Sequence, residues 1–192
     1  TKSISKKEVQ QTYRFKVALF YRKGLWRRIE VQGGQTLGEF DQILREAFAH
    51  DWDHMSGFWN LIRRGNSRRF REVDLGSINP FGEGDAADVV IAGLGLEPGN
   101  ELKYVYDFGD WVEHRITLEE IVESTPTVTY PRITAQNKPR YHYCPYCKEK
   151  GKKTKAIYVC IECSNREETD IVACEDCTDK YHEDHYNEEI LY

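Results

Sequence analysis

The chain has 192 residues, and 40% hydrophobic content with 12% aromatic residues is enough to bury a core. No stretch approaches the roughly 20 apolar residues of a membrane-spanning helix, which excludes a helical membrane protein. A net charge of -5 argues against wholesale nucleic-acid coating, which relies on many Lys and Arg neutralising phosphates.

The N-terminal TKSISKKEVQQ has no apolar run to serve as a signal peptide, so residues 1–12 read as a disordered leader of a cytoplasmic protein. From Tyr13 to Tyr21 apolar residues alternate with Arg14 and Lys16, which predicts a half-buried strand. Lys23-Gly24 turns the chain, and Trp26 to Val31 reads as the antiparallel partner, ended by Gly33-Gly34. Thr36 with Glu39 is a capping-box pattern, and Leu37, Phe40, Ile43, Leu44, Ala47 and Phe48 keep the spacing of one helix face.

His50 to Met55 reads as a polar loop. Segments 57–62 and 68–73 bracket a Gly65-Asn66 turn and predict a second hairpin. Arg63, Arg64, Arg68, Arg69 and Arg71 crowd there; with no alternating aromatic platform on that face, they read as a solvated surface rather than an anion patch. Asp85 is placed to cap a short helix over 86–94, and Pro98-Gly99 turns the chain into a third hairpin. There Tyr104, Tyr106 and Phe108 alternate, a Gly-Asp turn follows, and Trp111 to Ile116 pairs back. After Ile121 the pattern decays. Residues 124–140 hold three prolines and read as a connector, which divides a domain at 13–123 from one at 141–192.

In order and spacing, WRRIEV at Trp26 to Val31, the helix opening TLGEF at Thr36, WDHMSGF at Trp52 to Phe58 and YVYDFGDWVEHRI at Tyr104 to Ile116 resemble the plasmid pRiA4b ORF-3-like family. The resemblance spans roughly residues 13 to 131, and it implies a compact α+β domain with an antiparallel sheet packed against helices. It implies no established chemistry. Family members often follow their YPR-like segment, here Tyr130 to Arg132, with Pro-Pro-Glu-Asp and Gly-Gly; this chain has NKPRYHYCPYC instead.

That replacement opens the strongest chemical signal. All six cysteines fall in three C-x-x-C pairs, Cys144/Cys147, Cys160/Cys163 and Cys174/Cys177, followed by His182-x-x-His185. Two-residue spacing suits two thiolates on one ion better than a disulfide framework, and eight donors make two closed tetrahedral zinc sites of structural type. The tail has too few aliphatics for a core of its own, so the metal must supply its folding energy. Two pairings satisfy the spacing. The closing CEDC-x4-HEDH is similar to ZZ-type and B-box-type fingers, which implies a cross-brace of pairs one with three and two with four, although the gap between pairs two and three is longer than in those fingers. A sequential pairing would instead join Cys144, Cys147, Cys160 and Cys163. His142 reads as a surface residue, and the lysine loop from Lys148 to Lys155 as a solubilising ribbon tip.

Two functions follow. The first is a non-enzymatic binding or adaptor protein with a two-zinc module that holds a protein or nucleic-acid partner. The alternative is a metal-dependent hydrolase or nuclease whose site is built from His54, Asp107, Asp110 and His114. Asp107 and Asp110 straddle a tight turn, where Asp commonly bonds its own backbone, so the structural reading of that bend takes precedence.

Overall fold

The computed structural model describes residues 4–65 and 69–192. Two compact units divide the chain, residues 1–137 and 138–192. In the first, the elements are α1 (Lys6–Gln10), β1 (Gln11–Leu19), β2 (Trp26–Gln32), α2 (Leu37–Ala47), β3 (Ser56–Arg63), β4 (Phe70–Ile78), a 3-10 turn (Ile91–Leu94), β5 (Glu101–Tyr106), β6 (Val112–Glu123) and β7 (Arg132–Gln136). The strands form one antiparallel sheet in the order β4-β3-β5-β6-β1-β2-β7, so the fold is α+β.

Alternation decides which face is buried. Tyr13, Phe15 and Val17 of β1 are buried with Leu102, Tyr104 and Tyr106 of β5 and Ile116 and Leu118 of β6, whereas Lys16 is exposed and Arg115 half-buried. Helix α2 covers the apolar face: the Phe40 ring lies 5.0 Å from Phe15 and 6.0 Å from Phe58. Its N-terminus is the capping box of the sequence pattern, with Thr36 Oγ1 accepting from the Glu39 N–H at 3.2 Å and the Glu39 carboxylate accepting from the Thr36 N–H at 2.9 Å.

Beneath α2 sits a buried polar network. Asp41 accepts from Arg45 Nε at 2.8 Å, Ser56 Oγ at 2.6 Å and Tyr104 OH at 2.8 Å. Arg45 also donates to the carbonyls of Asp51 and His54, fastening the 49–55 loop to the helix. Since Arg45 and Asp41 are nearly inaccessible, each charge is tolerated only because the other is there.

Four expectations need correction. Residues 1–12 are not a uniform leader: Ser5 and Glu8 form a capping box for α1, Gly34 donates to the Val9 carbonyl and Gly33 to that of Gln11, and β1 begins at Gln11. Gly33 leaves no room for a Cβ beside the Glu8 carbonyl. Tyr21 is exposed because β1 ends at Leu19. Segment 86–94 forms no α-helix; its carbonyls at Ala87 and Val89 accept from Gly38 and Leu37, satisfying first-turn donors of α2, so only the 3-10 turn remains. The connector at 124–140 contains β7, which pairs with the edge of β2, and β6 runs seven residues beyond Ile116 to pair with the start of β1. The expected second hairpin is present as β3 and β4, paired from Ser56↔Ile78 to Arg63↔Phe70 with a one-residue shift between Phe58 and Trp59; Asn66 of the turn and Arg68 of the arginine group lie outside the described residues.

Candidate metal centre

The second unit is built from α3 (Pro145–Glu149), β8 (Tyr158–Cys160), α4 (Ile161–Glu167), β9 (Val172–Ala173), α5 (Glu175–Tyr181) and β10 (Asn187–Glu189), with a small sheet ordered β10-β8-β9. Each C-x-x-C pair is placed the same way. Cys144, Cys160 and Cys174 are the N-cap residues of α3, α4 and α5, and Cys147, Cys163 and Cys177 fall in the first turn. None of these caps is closed by a side-chain hydrogen bond; in the first and third knuckles backbone N–H groups reach sulfur instead, those of Cys147 and Cys174 at Cys144 and that of Cys177 at Cys174, and each such contact favours thiolate.

These helices gather the eight donors into two sets, Cys144, Cys147, Cys174 and Cys177 in one and Cys160, Cys163, His182 and His185 in the other. Pairs one and three thus meet, and pairs two and four. In the first set, Cys147 Sγ lies 3.6 Å from Cys174 Sγ and 3.8 Å from Cys177 Sγ. In the second, Cys160 and Cys163 stand 3.4 and 3.3 Å from His185 Nδ1, Cys163 is 3.5 Å from His182 Nδ1, and the two Nδ1 atoms are 3.4 Å apart. A tetrahedron with zinc bond lengths has edges of about 3.8 Å between sulfurs, about 3.6 Å from sulfur to nitrogen and about 3.3 Å between nitrogens. The donor sets therefore fit such an ion. All six cysteines are free thiols.

Neighbouring groups orient the ligands. His182 turns Nδ1 toward the donor set while its Nε2 meets Tyr146 OH at 2.8 Å; with Nε2–H donating to the hydroxyl, Nδ1 is free to act as the ligand atom, and the contact fixes the ring's orientation. Tyr146 lies between Cys144 and Cys147, so the knuckle of one set buttresses a ligand of the other. Asn187 Nδ2 donates to the carbonyls of His182 and His185, both at 2.8 Å, fixing the H-x-x-H turn. Burial pushes the Cys177 thiol up to about 12, with the thiols of Cys174, Cys144 and Cys147 adding to it, and burial likewise raises Cys174 and Cys163. Cys144 goes the other way, to about 7: burial opposes its charge, but the N–H groups of Cys174 and Cys147 outweigh it. A divalent cation at this set would offset the burial that opposes ionisation of Cys174 and Cys177.

His142 belongs to neither set; it is exposed beside Tyr192. Of the hairpin residues, His54 and Asp107 come together, with His54 Nε2 3.6 Å from Asp107 Oδ2 and its Nδ1 2.6 Å from Asp53. Asp107 Oδ1 also accepts from the Gly109 N–H at 2.8 Å, the backbone role expected at a bend. Asp110 is exposed, and His114 is fully buried with Nε2 3.0 Å from His50 Nε2. Burial drives the pKa of His114 down to about 3, aided by His50, and that of His50 down to about 4, aided by Arg45. Among the described residues, the Cys/His sets are the groups of three or more donors close enough to share an ion. The sequence reading overlooked His50, partner of His114, and Tyr146; an aromatic inside a C-x-x-C knuckle was the only available signal for the second.

Fold and donors define an α+β protein that ends in a module able to hold two metal ions through interleaved Cys and His pairs. Its membership is shown by sequence: the chain belongs to the plasmid pRiA4b ORF-3-like protein family, whose profile matches residues 11–142 and stops short of the donor-bearing segment. A crystal structure of MM3350 from Methanosarcina mazei Go1, described as a protein of unknown function, is similar with 22% identity and a TM-score of 0.51, over 66% of this chain and 68% of that one. No curated protein sequence matches.

Proposed function

We propose that this is a non-enzymatic binding protein whose C-terminal unit is a two-zinc structural module and whose partner is a protein or nucleic acid. The observation that supports it is closure. Each set supplies four donors, seven of the eight ligand residues are soft thiols or buried imidazole, and no position remains for water or substrate. Tetrahedral thiolate and imidazole donation favours zinc over harder cations, and free thiols throughout fit a reducing cytoplasmic setting. No helix among the described residues is long and apolar enough to cross a membrane.

The competing hydrolase reading needs four donors around one ion. It finds weak support, because His114 lies inside the core with Nε2 committed to His50. Elemental analysis of the purified chain is the test. Two zinc ions per chain, with loss of C-terminal structure on chelation, is the expected result; absence of bound metal, or a tail that stays folded after complete chelation, overturns the proposal.

A further inference from the structure

The outer face of the large sheet, opposite α2, carries cations whose partners differ sharply from one end to the other. Arg14 pairs with Glu30 and Glu120, Arg28 with Glu119 at 2.6 Å, and Lys103 with Glu72. Near the β3–β4 hairpin this neutralisation thins out. A cavity of about 470 Å³ opens there, with Lys16, Lys23, Arg63 and Arg115 in its lining against the single carboxylate of Glu101. Arg115 is held in loose ion pairs with Glu101 and Glu113, each at 3.7 Å, but among the described residues Lys16, Lys23 and Arg63 have no carboxylate within ion-pair distance. Arg115 Nε is buried without any hydrogen-bond partner, an unspent donor that calls for explanation.

The same lining is aromatic. The Arg115 guanidinium lies 5.4 Å from the centre of the Phe20 ring and 5.3 Å from that of Phe70, and Arg63 lies 5.6 Å from Phe70. Phe20 comes from the turn just after β1 and Phe70 from β4, so this platform is assembled across the sheet. Excess positive charge beside stacked apolar planes suits a ligand that joins a phosphate to a flat ring. The volume is that of a small-molecule site. Since the cations farther along the face are already paired, the footprint is that of a nucleotide rather than a long strand.

We propose that this cavity is a nucleotide site, with Lys16, Lys23 and Arg63 holding phosphate and the Phe20–Arg115–Phe70 stack receiving the base. It lies within the first unit and does not rest on the zinc reading. The test is calorimetric titration of the full chain with AMP and with inorganic pyrophosphate, alongside fluorescence anisotropy of a short labelled oligothymidylate. AMP is expected to bind once per chain and more tightly than pyrophosphate, and Lys16→Glu and Lys23→Glu are each expected to weaken it roughly tenfold. Both lysines are exposed, so the fold tolerates their replacement; Phe70→Ala tests the stack. A labelled strand that binds more tightly than AMP, with the same sensitivity to these variants, assigns the nucleotide to single-stranded nucleic acid; weaker strand binding assigns it to free nucleotide. Failure of both AMP and the strand to bind, unchanged affinity in the lysine variants, or pyrophosphate binding as tightly as AMP overturns the proposal.

Discussion

Replacing cysteines two at a time reads the pairing of the metal ligands directly. Cys147 lies 3.6 Å from Cys174, in one donor set, whereas Cys163 belongs to the other with His182 and His185. Cys147→Ser removes one of four donors, and a structural zinc held there would contribute on the order of 10 kcal/mol to folding. That is comparable to the whole stability of an ordinary domain, so a site deprived of one ligand does not persist by packing alone. Apart from cysteine, the buried hydrophobic residues of this unit are Ala156 and Ala173. Each single variant is therefore expected to keep one zinc. Cys147→Ser with Cys174→Ser damages the same set twice and still keeps one, whereas Cys147→Ser with Cys163→Ser damages both sets and keeps none. Metal content by mass spectrometry after gel filtration, under reducing conditions, measures the outcome. The reverse pattern, with the first double variant empty and the second retaining one ion, would refute the interleaved assignment and restore the sequential one.

Tyr146→Phe removes the hydroxyl that meets His182 Nε2, and zinc affinity of the Cys160/Cys163/His182/His185 set is expected to fall 10- to 100-fold in a chelator competition, roughly the range of lost outer-sphere bonds. In the first unit, Asp41→Ala leaves the Arg45 guanidinium buried without its carboxylate and is expected to cost about 3–5 kcal/mol, against about 1–2 kcal/mol for Tyr104→Phe; denaturant titration of both variants checks the ranking. His50 and His114 have folded pKa values of about 4 and about 3, below the ordinary histidine value, so the unfolded state binds more protons as pH falls. Stability is thus complete above about pH 6.5 and declines toward pH 4 by up to about 1.4 kcal/mol per pH unit for each proton taken up. All four tryptophans lie in the first unit, so their fluorescence follows that decline apart from the metal module, and His114→Phe should flatten it.

What the sequence revealed depended on whether an interaction was local. The α2 capping box, the β1 alternation and the three C-x-x-C knuckles are each encoded within a few residues, and each was legible. Segment 86–94 looked helical because its own residues permit a helix, but its carbonyls are engaged by α2, nearly 50 residues earlier in the chain. β7 is only five residues long and mostly exposed, so the alternation of Ile133 and Ala135 is too brief to read as a strand; the edge of β2 supplies its hydrogen bonds. His114 looked like a possible ligand until burial against Phe48 and His50 made it a neutral core residue.

The arginine-rich hairpin carries the same lesson to function. Taken alone, its residues lacked an aromatic platform and read as ordinary surface. The fold brings Phe20 from the turn after β1 and Arg115 from β6 to Arg63 of β3 and Phe70 of β4, so the platform exists only across separate parts of the sheet. A net negative chain disfavours extended phosphate binding, yet it does not forbid a local reversal of charge where cations outnumber carboxylates, as they do in the lining of this cavity. The metal module and this cavity also differ in kind. In the first, all eight donors face one another in two sets that could each hold an ion, whereas the cavity retains a buried Arg115 donor and, among the described residues, lysines without a carboxylate partner. Recognition chemistry is therefore to be sought first on the sheet, and the zinc variants should leave nucleotide binding intact.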